Sequence, residues 1–103
     1  MEIYHKINNN KTSVGFHVQL NSNDQILLKN KFENKNITVV KMGKLMNIHR
    51  QNVYLYLEST DLSLFRLLQI QQILDFEIVS KKDIDNFMNK FYLETINEVK
   101  NNG

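Results

Sequence analysis

The chain has 103 residues, 42% of them hydrophobic, which is enough for one compact core and too few for two ordinary domains. It has no cysteine, which excludes disulfides, thiolate nucleophiles and cysteine-ligated zinc. No apolar run approaches the roughly 18 residues needed to span a bilayer, and the start MEIYHKINNN lacks the charged-then-apolar order of a signal peptide, so the expectation is a single-domain cytoplasmic protein, residues 1–103, with no membrane partner.

Pro, Trp and Ala are missing while Asn, Lys and Ile abound, a pattern that fits codon bias and discounts each Asn as a functional signal. The net charge of +2 is unevenly spread. Residues 29–56 carry Lys29, Lys31, Lys35, Lys41, Lys44 and Arg50 against Glu33 alone, whereas the chain from Asp61 onward is acidic on balance. A basic middle beside an acidic C-terminal third suits a protein that touches a polyanion with one part only.

In chain order, Ile3, His5, Ile7 and then Val14, Phe16, Val18, Leu20 alternate with period two around the turn-rich NNNKTS, which predicts a β-hairpin over residues 1–20. Asn21, Ser22 and Asn23 are capping candidates for a helix over about 22–34, with Ile26, Leu27, Lys31 and Phe32 on its packing side. Thr38 then stands at an N-cap, followed by Val39, Met42 and Met46 on one face of a short helix over about 38–46. Asn47 tolerates the left-handed conformation and can end that helix abruptly, with Ile48 as a buried pivot. A third helix over about 49–57 turns Val53, Tyr56 and Leu57 inward and leaves Arg50, Gln51, Tyr54 and Leu55 nearer the outside.

The segment EST is expected as a loop, after which Asp61 or Ser63 caps a fourth helix striped by Leu64, Leu67, Leu68, Ile70, Gln71 and Leu74 and broadened by Phe65 and Ile73. A short extended piece, FEIV, leads to Ser80 as cap of a last helix over about 81–99. That helix carries Ile84, Phe87, Met88, Phe91, Ile96 and Val99 on one side, and residues 100–103 should fray. The fold class is therefore mainly α: a four-to-five-helix bundle preceded by a small N-terminal β-hairpin.

The stretch from Ile37 to Leu74 resembles the DNA-binding domain of the phage-repressor-like (Xre, Cro-type) helix-turn-helix family, and the resemblance covers residues 22–76. Met42, Met46, Ile48, Val53 and Tyr56 match that family's apolar positions. Gly43 matches the small residue at the helix crossing, and Asn47 stands where the family usually has a turn glycine. Gly43→Leu should therefore overpack, whereas Gly43→Ala should be neutral or stabilising through better helix propensity.

The resemblance implies a sequence-specific regulator, a small homodimeric repressor of bacterial, phage or mobile-element type, whose third helix enters the major groove of double-stranded, palindromic operator DNA. Arg50 could then donate to guanine, Gln51 could pair with adenine, and Leu55 could press on a thymine methyl. Leu55 could equally belong to the core, and Arg50 could be a plain solvated charge. Phosphate contacts fall to Thr38, His49 and Asn52 at helix ends, flanked by Lys41, Lys44 and Tyr54, with His49 also readable as a simple cap. Three departures stand out: Glu58 and Asp61 follow the recognition helix where basic residues are usual and should repel phosphate, Val39 replaces a polar first residue, and the hairpin is an addition to the pattern.

The terminal elements would supply the dimer. Part of the last helix's stripe should cover the fourth helix, and the remainder, through Phe87, Phe91 and Ile96 with the Phe16 and Val18 side of the hairpin, should meet a second copy. A competing reading is an antitoxin-like or inhibitor module that holds a protein partner by the hairpin edge or the last helix. No enzyme signature, cofactor motif or metal-ligand spacing is present, although His5 and His17 could meet across the hairpin.

Overall fold

The computed structural model of the chain describes residues 1–102. Strands β1 (Glu2–Ile7) and β2 (Ser13–Gln19) form the hairpin, followed by α1 (Ser22–Asn34), α2 (Val39–Met46) and α3 (Arg50–Glu58). A third strand, β3 (Asp61–Ser63), precedes α4 (Leu64–Leu74) and α5 (Lys81–Asn102). The protein is mainly helical, with a small antiparallel sheet in the order β1-β2-β3.

The hairpin is built by its asparagine. Asn8 Oδ1 accepts from the amides of Asn10 and Thr12, at 3.0 and 2.9 Å, and Lys11 adopts a positive φ of 61° to complete the turn. Alternation then sorts the two faces. Ile3 pairs with Val18, which pairs with Leu62 of β3, and Val18 and Leu62 are fully buried. His5 lies opposite Phe16 on that same face, while His17 lies opposite Tyr4 on the other. His5 and His17 thus sit on opposite sides of the sheet and do not meet, because their positions differ in pleat parity.

Strand β3 occupies the place expected to be loop and cap. The Ser59 hydroxyl donates to the Asp61 carbonyl at 2.7 Å and accepts from the Asp61 amide, which swings the chain out of α3 and alongside β2. The Leu20 amide donates to the Thr60 carbonyl at 2.7 Å and closes the junction. Of the two proposed caps for α4, Ser63 is the one used, accepting from the Arg66 amide at 3.2 Å.

Helix α1 begins with a reciprocal capping box between Asn21 and Asp24. Its single buried residue is Leu28, while Ile26 and Leu27, expected on the packing side, are exposed. Helix α4 buries Leu67, Ile70, Gln71 and Leu74 as its stripe requires, but Phe65 lies outside, because it sits on the solvent side of the first turn.

Residues 76–79 form no strand. Buried Gln71 takes their polar groups instead: its Oε1 accepts from the Ile78 and Val79 amides, both at 2.8 Å, and its Nε2 donates to the Val79 carbonyl at 3.0 Å. One side chain thereby satisfies three backbone groups that a strand would have paired. Ser80 and Asp83 then cap α5 reciprocally. Residues 100–102 remain helical, against the expected fraying, and residue 103 lies outside the described residues.

Helix α5 does not use its stripe mainly on α4. Phe87 and Phe91 pack edge-on against Phe16, with ring centroids 5.4 and 5.3 Å apart, and Phe91 also meets His5 at 5.2 Å. Ile84 reaches the edge of the main core, and Ile96 is half-buried. The hairpin of the same chain, exposing an aromatic face beyond Val18, is the nearer apolar surface.

Candidate nucleic-acid interface

The arrangement of α2 and α3 follows from three residues. Thr38 caps α2, its hydroxyl oxygen accepting from the Lys41 amide at 3.1 Å. Asn47 ends α2 with φ 57° and ψ 47°, a left-handed conformation that few side chains other than Asn tolerate. Gly43 lets the two helices touch: a Cβ there would lie 2.9 Å from the Ile48 carbonyl oxygen and 3.4 Å from the Arg50 nitrogen. Both atoms are backbone, so even the methyl of Ala forces a shift, and the expectation that Gly43→Ala is harmless is corrected. Ile48, expected as a buried pivot, is half-buried at the rim of the core.

His49 caps α3. Its Nδ1 accepts from the Gln51 amide at 3.2 Å, which leaves the proton of the neutral ring on Nε2 of this exposed residue. Capping and anion contact, posed as alternatives, are thus compatible in one ring.

Val53 and Leu57 of α3 are buried, and Tyr56 is half-buried. Arg50, Gln51 and Asn52 are exposed, as are Tyr54 at 55% and Leu55 at 66%. That exposure removes the core alternative for Leu55. Lys41 and Lys44 are exposed on α2, beside Val40 and Leu45, which sequence periodicity did not mark as outward.

The supports of this unit come from elsewhere in the chain. Arg66 of α4 donates to the Met46 carbonyl at 3.0 Å and to Gln69 Oε1 at 2.9 Å, and its guanidinium lies 5.8 Å from the Tyr56 ring centroid. It fastens the last turn of α2 to α4. Gln25 Nε2 of α1 donates to the carbonyls of Glu58 and Ser59, at 3.3 and 3.2 Å, closing the end of α3. Sequence analysis marked neither Arg66 nor Gln25, since nothing local announces a carbonyl 20 or 34 residues away.

The two acids after α3 are not a bare negative edge. Glu58 accepts from Lys29 Nζ at 2.9 Å. Asp61 accepts from Lys6 Nζ at 2.9 Å, from the Tyr4 hydroxyl at 2.8 Å and from His17 Nδ1 at 3.2 Å on the outer face of the sheet. Each carboxylate therefore has a cation beside it. Burial alone would push the Asp61 carboxyl up, but donation from Lys6, Tyr4 and His17 outweighs it and holds the group below the ordinary carboxylate range. In return Asp61 holds the Lys6 ammonium up. The Tyr4 phenol is pushed up first by burial and then by its bond to Asp61.

The surface that results is a nine-residue helix carrying Arg, Gln, Asn, Tyr and Leu outward, flanked by two lysines and anchored at both ends. Among the described residues no helix is long and apolar enough to cross a membrane. No family model, curated protein or solved structure matches the chain.

Proposed function

We propose that the protein is a sequence-specific DNA-binding regulator in which α2 and α3 form a helix-turn-helix and α3 reads the major groove. The observation that carries this reading is the outward exposure of Arg50, Gln51 and Leu55 on a short helix whose inward residues Val53 and Leu57 are buried. Such side chains do no packing work, and their chemistry matches base edges: a bidentate donor, an amide and an apolar contact. His49, Asn52, Lys41 and Lys44, all exposed, supply phosphate contacts. Phe87 and Phe91 pack on the hairpin of the same chain, and Glu58 and Asp61 each have a cation beside them.

Selection from a random pool of double-stranded DNA should enrich one motif. On that motif Arg50→Ala should lose about 1–3 kcal/mol of binding while unfolding stability changes by less than about 0.5 kcal/mol. Affinity should also fall steeply with salt, with a log–log slope of about −0.9 per phosphate neutralised. A pool that yields no enriched sequence, or an Arg50→Ala variant with full affinity, would overturn the reading.

A further inference from the structure

The two edges of the sheet differ. Strand β3 runs straight into α4, whereas β1 ends the order β1-β2-β3 with no strand beyond it among the described residues. The ladder decides which backbone groups of β1 are left over. Because the Leu20 amide donates to the Thr60 carbonyl, Leu20 and Val18 aim their backbone groups at β3, and His17 and Gln19 aim theirs at β1. Their partners Tyr4 and Glu2 are thereby used, and the amides and carbonyls of Ile3 and His5 point away from the sheet. The bond from the Asn8 amide to the Thr12 carbonyl, past the register shift, keeps the same parity.

Native sheets guard an open edge with a lysine, a bulge or a covering element. On β1 these guards stand elsewhere: Lys6, the strand's only lysine, is turned onto Asp61 across the outer face, and the register shift falls between Lys6 and Ile7, past the stretch Ile3–His5. Beside that stretch lies a groove of about 220 Å³ between β1 and α5, lined by Ile3, His5, Phe87, Phe91 and the exposed Lys90 and Glu94. Among the described residues neither Lys90 nor Glu94 has an ion-pair partner.

We infer that this edge and groove bind an extended segment of a partner protein, which adds a fourth strand beside β1 and seats a side chain against α5. The backbone groups set the kind of occupant: amides and carbonyls alternating along one line complement extended main chain, and not a helix, whose own groups are paired internally. The groove sets its side chains. Phe87 and Phe91 take an apolar residue, while Lys90 and Glu94 call for an acid and a base flanking it. The β1 strand of a second copy fits less well, because its inward Ile3 and His5 already pack on their own core and their own Phe91, and so bring nothing to fill the groove. The inference uses no residue of α3 and does not rest on the DNA-binding reading.

Selection on the full chain from a displayed library of random linear peptides should enrich sequences with an apolar residue between opposite charges in a proline-free run. A synthetic peptide of the enriched sequence should protect the Ile3 and His5 amides, which exchange freely in the chain alone, whereas the Tyr4 amide is protected with or without peptide. Methylating the peptide's backbone amides one at a time should weaken binding about ten-fold at every second position and little between. Lys90→Glu, at an exposed position, should also weaken it about ten-fold while melting stays unchanged. No enriched family, or a bound peptide that leaves Ile3 and His5 unprotected, would overturn the inference. So would Ile3 and His5 amides already protected in a chain that sediments at twice its mass, since a second copy would then hold the edge.

Discussion

The α2–turn–α3 unit and the β-sheet with α5 are held together in different ways. In the first, each decisive residue acts within a few positions of itself: Thr38 on Lys41, Asn47 on its own backbone, Gly43 on Ile48 and Arg50, His49 on Gln51. In the second, partners come from far along the chain, as with Tyr4 and Lys6 on Asp61, Val18 on Leu62, and Phe16 on Phe87. Short-range steric requirements leave a signature in the sequence, whereas long-range pairing leaves only compatible residues. The lesson is that the helix pair was legible because its caps, turn and crossing are local, whereas its anchors Arg66 and Gln25 and the strand β3 were missed because their partners are remote.

The sharpest way to break this comparison is Leu62→Ala. Leu62 is 1% exposed in a strand of three residues, and removing its side chain should cost about 2–5 kcal/mol, as for any core leucine. Denaturant unfolding that shows a loss below about 1 kcal/mol would mean that β3 is only a passing neighbour of β2.

Gly43 tests the other region. Gly43→Leu should lose about 2–3 kcal/mol, and Gly43→Ala about 1 kcal/mol despite its better helix propensity, because the obstructing atoms are backbone. An Ala variant more stable than the parent would show that α2 and α3 can part freely.

Asp61 gives a smaller effect than Leu62→Ala or Gly43→Leu and sharpens the account of the outer sheet face. Its folded pKa is depressed, so its contribution is present above the unfolded carboxylate value and is lost as pH falls through the folded one. Asp61→Asn should cost about 1–2 kcal/mol at neutral pH and flatten the loss of stability below about pH 4. Lys6 and Tyr4 are both held up, so their share is lost instead as pH rises through the alkaline range. An Asn variant with the parent's acid profile would show that another carboxylate governs acid unfolding.

Asparagine shows how composition can mislead. The abundance of Asn discounts each copy as a functional signal, yet Asn8 organises the hairpin turn, Asn21 caps α1, and Asn36 and Asn47 take left-handed backbone at φ 59° and 57°. In a chain with only 3 glycines, Asn is the available residue for such positions. Phe65 misleads in the opposite sense, since its apolar side chain enlarged the expected stripe of α4 and lies in solvent.

What the sequence by itself determined is the list of helices, most of their caps, the hairpin, the inward Val53 and Leu57, and the outward Arg50 and Gln51. Capping, periodicity and alternation are local rules, read within one or two turns of the chain. Only the tertiary structure decided that Asp61–Ser63 completes a sheet, that Gln71 binds the backbone of 78–79, that Arg66 holds the end of α2, and that Phe87 and Phe91 face their own hairpin. Each of these joins groups remote in sequence or replaces one hydrogen-bond partner by another of equal chemistry. Such choices are set by which apolar faces are buried first, and three residues of alternation or one glutamine on a stripe carry too little pattern to announce the outcome.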